Sequence, residues 1–146
     1  MSTLPAPTEV IPHRPPFLFV DRCLECGDDS VVAEYHFTGD EAFFAGHFPH
    51  DPVVPGVLLI EGLAQSLAYL ALRNRDEDMV VLTGVEAGKI RRPVRPGETV
   101  RYRVKIVRQR LKLGMAEGHV EVGDERVLRA KLKGYVGPPR APRPVE

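Results

Sequence analysis

The chain has 146 residues, 43% hydrophobic and 27% charged, with 20 basic against 20 acidic side chains; this suits one domain with a real core and excludes a chain disordered throughout. No uninterrupted apolar run reaches the roughly 18 residues a membrane span needs, because Gly56, Glu61 and Gln65 break the best candidate, and the first residues lack a charged-then-apolar signal pattern, so a cytoplasmic protein with no membrane partner is expected. The neutral total hides a split: residues 1–88 hold 4 Lys or Arg against 14 Asp or Glu, and residues 89–146 hold 16 against 6, which favours an acidic protein partner over nucleic acid, since only Tyr102 and Tyr135 offer stacking in the basic part.

Residues 1–10 (MSTLPAPTEV) and 137–146 (GPPRAPRPVE) are Pro-rich, and both are expected to be loose arms around a domain of residues 11–136. FLFVDRCLEC (17–26) and SVVAEYHFT (30–38) read as two strands joined by a tight turn at Gly27-Asp28-Asp29. Cys23 and Cys26 have the CxxC spacing, but no second ligand pair lies nearby to complete a zinc site, and residues three apart on a strand face opposite ways. They read as two unlinked, small apolar residues. DEAFFAG (40–46) has room for one short helical turn, and HFPHDPVVP (47–55) has too many prolines for a helix or a strand, so an ordered loop is expected there.

A helix is predicted from Pro55 or Gly56 to about Arg73, since proline is favoured at a first helical position and Asn74 is a stop signal. It is apolar nearly all the way round, which predicts a helix enclosed by the rest of the domain. Glu61 is out of place there. A carboxylate in such a helix is either a structural group paired with an arginine or a group kept for chemistry. Four strand-like segments follow, at 79–94, 99–106, 115–122 and 126–136; in the second, Val100, Tyr102, Val104 and Ile106 alternate with Arg101, Arg103 and Lys105. Two strands, one long helix and four strands are most simply assembled as an α+β fold with a curled antiparallel sheet wrapped around a central helix.

IPHRPPFLFVDR (11–22), GHFPHDPVVPGVLLIEGLAQ (46–65) and GVEAGKIRRPVRPGETV (84–100) resemble the 3-hydroxyacyl-acyl carrier protein dehydratases of fatty acid synthesis, which have the hot-dog fold. The resemblance covers roughly residues 10–136. It implies removal of water from a (3R)-3-hydroxyacyl thioester on acyl carrier protein to give the trans-2-enoyl thioester, with no cofactor or metal. It further implies a homodimer, or a trimer of such dimers, with each site completed across the dimer interface. Carried over residue by residue, it makes His47 the base, Glu61 the group acting on the hydroxyl, and Gly56 the backbone donor to the thioester carbonyl. Val57, Gln65, Phe48 and Pro55 are then the further substrate-binding positions.

Those roles are chemically sensible. A thioester C2 proton is weakly acidic, and a neutral imidazole suits its removal near neutral pH. The oxyanion that develops needs donors already in place, which the first N–H groups of a helix at Gly56 and Val57 can supply. Glycine at 56 lets the thioester approach the backbone. Hydroxide leaves poorly, so an acid must protonate it, and an apolar surrounding keeps a carboxyl proton available. Gln65, one turn beyond Glu61, can orient it.

Other positions read more plainly. His13, His36 and His119 have no carboxylate at a telling spacing and are expected to be structural or on the surface. His50, where relatives usually carry glycine, is either a solvated loop residue or a group narrowing the acyl entrance. Gly62 stands where alanine is usual and Ile90 where an aromatic often lines the tunnel. The cations Lys89, Arg91, Arg92, Arg95, Arg101, Arg103 and Lys105 either dock the acidic carrier or pair with carboxylates within the fold. A hot-dog thioesterase and a non-catalytic carrier-binding subunit are the competing functions. Aspartate stands at the position of Glu61 in relatives that also isomerise, so the glutamate favours dehydration alone.

Overall fold

The computed structural model of the protein describes residues 3–74 and 79–138. In chain order it contains helix α1 (Pro7–Val10), strands β1 (Arg22–Cys26) and β2 (Ser30–His36), a 3-10 turn (Ala42–Ala45), helix α2 (Gly56–Leu72), and strands β3 (Met79–Ile90), β4 (Thr99–Arg110), β5 (Leu113–Val122) and β6 (Glu125–Gly137). The strands form one sheet in the order β1-β2-β4-β5-β6-β3, with every neighbouring pair antiparallel. This is the expected α+β arrangement of a curled sheet around a single long helix.

The alternation read in β4 is what the sheet uses. Val100, Tyr102 and Val104 are buried, whereas Arg101 and Lys105 are exposed. The buried row faces α2, whose Leu59, Leu63, Leu67, Tyr69 and Leu72 are buried in turn, each worth roughly 1.5–3 kcal/mol relative to exposure. The enclosure has one gap. Val57 is 72% exposed, and Gly56, Leu58, Ile60, Glu61 and Ala64 are only half-buried, so one stripe at the N-terminal end of α2 is left open. Beside it runs β3, an outer strand of the sheet, with Val81, Leu82, Val85 and Ile90 exposed.

Three expectations are corrected. The first strand spans only Arg22–Cys26, because Phe17–Val20 forms no ladder and the backbone at Phe17 and Phe19 is held by a side chain of α2. Residues 3–10 are not a loose arm: Pro7 is buried in α1, the Tyr69 hydroxyl donates to the Pro5 carbonyl at 2.7 Å, and Arg14 donates to the Thr8 carbonyl at 3.0 Å. β4 and β5 run longer than their apolar patterns, to Arg110 and from Leu113, because ladder hydrogen bonds extend a hairpin past its buried rows. Of the Pro-rich tail 137–146, Gly137 closes β6 and Pro138 follows it, and the remainder lies outside the described residues.

Candidate active site

His47 sits on the loop between the 3-10 turn and α2, as the run of prolines predicts. The turn buries Phe44, whose ring packs against Phe37 and Phe43 and anchors the start of the loop. The loop then closes on itself. Phe48 and Asp51 exchange backbone hydrogen bonds at 3.2 and 3.1 Å, the Val53 N–H donates to the His47 carbonyl at 2.9 Å, and the Val54 N–H donates to the Val94 carbonyl at 2.8 Å. Asp51 also pairs with Arg95. Within this frame the His47 Nδ1 lies 2.8 Å from the Val53 carbonyl oxygen. A carbonyl can only accept, so Nδ1 carries a hydrogen, and in the neutral ring Nε2 is the nitrogen that keeps its lone pair. The imidazole stacks on Phe48 with ring centres 4.2 Å apart.

Pro55 caps α2 with no side-chain hydrogen bond to the helix end among the described residues, so the first N–H groups are available to a ligand. His47, Val53, Gly56, Leu59, Ile90 and Arg91 share one cleft of about 310 Å³. Ile90 packs against the start of the helix: a Cβ built on Gly56 would lie 2.5 Å from the Ile90 Cδ1. The absence of a side chain at Gly56 therefore gives room to Ile90 and to anything entering the cleft. Pro55 is half-buried, while Phe48 and Val57 are exposed at this end of the helix.

Glu61 occupies a different face. Five residues separate it from Gly56, which is about 140° around the helix and about 7.5 Å along it, and it does not line the His47 cleft. Its side chain is 22% exposed, and its Oε2 accepts a hydrogen bond from Gln65 Nε2 at 3.0 Å. Gln65 is completely buried. Its Nε2 also donates to the Phe17 carbonyl at 3.1 Å, and its Oε1 accepts the Phe19 N–H at 2.7 Å. The orienting contact from Gln65 to Glu61 follows the one-turn spacing, but the clamp on Phe17 and Phe19 carries no local signal in the sequence. Neither does His13, whose Nε2 is 3.8 Å from Glu61 Oε2, although the sequence reading gave it no carboxylate.

The basic segment divides. Arg92 is held by Glu98 at 3.0 Å and Glu125 at 2.8 Å, Arg95 by Asp51, and Arg103 by Glu121 at 3.0 Å. Three of those four carboxylates lie in the basic half itself. The Arg92 guanidinium pulls the Glu98 carboxyl below its ordinary range. Arg91 uses its backbone N–H on the Val127 carbonyl and lines the His47 cleft. His36 contacts Thr99 and His119 contacts Glu121, each at 2.8 Å, and His50 is exposed. Cys23 and Cys26 are free, and burial pushes the Cys23 thiol up to about 12, which makes it a poor nucleophile at neutral pH. No helix among the described residues is long and apolar enough to cross a membrane.

This geometry can be set beside known proteins. The chain is 39% identical to the 3-hydroxyacyl-[acyl-carrier-protein] dehydratase FabZ of Wolinella succinogenes, over 88% of this chain and 91% of that protein. It is 40% identical to the protein of the same name from Pediococcus pentosaceus, over 88% of this chain and 89% of that one. Among solved structures, the dehydratase heterocomplex ApeI:P from Xenorhabdus doucetiae superposes with a TM-score of 0.80 at 18% identity, covering 91% of each chain. The fold is the hot-dog fold. A family model described as a FabA-like domain matches residues 11–131, and the chain belongs to the FabA-like domain family.

Proposed function

We propose that this chain is a hydro-lyase of the cytoplasm that converts (3R)-3-hydroxyacyl groups on acyl carrier protein into trans-2-enoyl thioesters in fatty acid or related lipid synthesis. Its relatives of 39–40% identity carry the name of that activity. The observation that carries the reading is the cleft in which the bare Nε2 of His47 and the uncapped start of α2 meet. Nε2 takes the C2 proton. The Gly56 and Val57 N–H groups receive the oxyanion that forms on the thioester carbonyl, where donors fixed in advance are worth most. Glu61 gives its proton to the C3 hydroxyl, which departs as water with the C3–O electron pair, while the C2–H pair becomes the double bond. Pro55, Phe48 and Val57 border the acyl group, and Gln65 keeps Glu61 oriented.

The proposed working unit is a homodimer. His47 and Glu61 face different sides of α2, so one chain does not join them in one cleft. The open stripe of α2 and the exposed apolar residues of β3 form one surface, since Ile60 lies 3.8 Å from a Cβ position on Gly88 of β3. An outer strand of twelve residues presents unpaired backbone groups that a second copy can cover. Each site then takes His47 from one subunit and Glu61 from the other. Arg91, which lines that cleft, is the cation assigned in this reading to the acidic carrier.

The test uses purified protein with 3-hydroxyacyl-carrier substrates of several chain lengths, enoyl formation being followed by mass spectrometry. His47→Ala and Glu61→Gln should each fold and lose at least about 10² in turnover, and mixing the two under subunit exchange should restore part of it. Near-native rates in either folded variant would remove its catalytic role. No recovery after confirmed exchange would remove the shared site.

A further inference from the structure

His13 stands beside the carboxylate that this reading uses as the acid. Its Nε2 lies 3.8 Å from Glu61 Oε2 and its side chain is 23% exposed, so part of the ring meets solvent. On the other side of the ring, Nδ1 is buried with no hydrogen-bond partner among the described residues. The backbone that carries it is fixed. The Arg14 guanidinium donates to the carbonyls of Thr8, Ile11 and His13 itself, at 3.0, 2.9 and 2.7 Å.

We propose that His13 is a positioning residue that returns a proton to Glu61 after each turnover, taking it from solvent and passing it from Nε2 to the carboxylate. The proposal rests on the dehydratase reading, and its proton balance is simple. Each dehydration leaves one extra proton on His47 and takes one from Glu61, so the next cycle needs a proton delivered to Glu61 and one released from His47 to water. Nothing is oxidised or reduced. His13 acts through Glu61 and touches no reacting atom.

The surroundings of the ring favour passing the proton on. Nδ1 is buried without an acceptor among the described residues, so the ring takes and gives the proton at Nε2 alone and is protonated at Nδ1 before and after the transfer. Burial lowers the His13 pKa, the Glu61 charge opposes that effect, and the Arg14 charge adds to it, so the net direction is down. The Tyr102 phenol of β4, packed against Gly62, is kept neutral by burial, raised well above its ordinary range. Gln65, from α2 itself, contributes a neutral amide that fixes Oε2. A proton arriving at His13 therefore has one carboxylate to go to. The 3.8 Å separation is longer than a hydrogen bond, so transfer needs the ring to close by about 1 Å.

The experiment compares the first turnover with later ones in the full chain. With enzyme in excess, His13→Ala should form enoyl product at nearly the wild-type rate, because a single turnover needs no proton returned to Glu61. With substrate in excess, kcat should fall at least about tenfold and recover with added imidazole in proportion to its concentration. An equal loss in both regimes without rescue would make His13 a structural residue, and no loss in either would overturn the relay. A wild-type chain that forms no enoyl product would instead sink the dehydratase reading, and the relay with it. An NMR titration of His13, which requires no turnover, should show its pKa falling further in Glu61→Gln; an unchanged titration would overturn the coupling between the two groups.

Discussion

The hydroxyl end of Tyr102 occupies the space that a side chain on Gly62 would fill: a Cβ built on Gly62 overlaps the Cζ, hydroxyl and Cε1 of that ring. β4 and α2 therefore pack tightly at the residue next to Glu61, with the fully buried phenol against the helix backbone.

In an ordinary helix interior, replacing glycine with alanine adds about 1 kcal/mol of stability. Here Gly62→Ala should instead destabilise by about 1–3 kcal/mol, because the ring cannot retreat from a packed core without strain. Denaturant unfolding of Gly62→Ala in the wild-type and Tyr102→Leu backgrounds checks it, and the penalty should shrink in the second. A stabilised Gly62→Ala would show that the layers part easily. Tyr102→Phe should be neutral or stabilising, since the hydroxyl is buried with no hydrogen-bond partner among the described residues.

Gln65 joins three segments through one amide, and Gln65→Leu should cost about 2–5 kcal/mol because the Phe19 N–H and the Phe17 carbonyl lose their buried partner. Turnover should fall as well, since Glu61 loses the donor to Oε2. Unfolding curves that overlay those of the wild type would mean that the segment before the first strand finds other partners.

The pairing of Glu98 with Arg92 makes stability depend on acid. Because the folded state holds the Glu98 carboxyl below its ordinary value of 4.5, its contribution is fully present above that value and is lost as pH falls through the depressed one. Glu98→Gln should therefore lower the melting temperature at pH 7 and narrow its difference from wild type towards pH 3. A difference that stays constant with pH would assign the loss to the hydrogen bonds of Glu98 with Arg95 and Arg92 rather than to its charge.

If Arg91 meets the carrier, Arg91→Glu should raise KM for carrier-bound substrate, more so at low salt, and leave a small uncharged thioester mimic nearly unaffected. Arg92→Glu should behave differently, losing stability, because its guanidinium already serves Glu98 and Glu125. An equal loss on both substrates for Arg91→Glu would place that side chain in the acyl path.

Local pattern made much of this protein legible from its sequence. The helix over Gly56–Leu72 follows from a proline at the cap and an apolar run, the buried face of β4 from its period of two, and the ordered loop at His47 from its prolines. The contact between Glu61 and Gln65 follows from a spacing of one turn. These features depend on residues within a few positions of one another, where helix and strand geometry alone decide what can meet. Contacts distant along the chain were decided only by tertiary structure. Gln65 reaches Phe19 across 46 positions, Tyr69 reaches Pro5 across 64, and His13 arrives beside Glu61, 48 positions further along the chain. The same holds for Arg92, whose second carboxylate comes from β6, and for Gly62, which makes room for a ring on β4. Periodicity tells which face of an element is buried; the register of the sheet and the closeness of its packing on α2 decide which residue it is buried against.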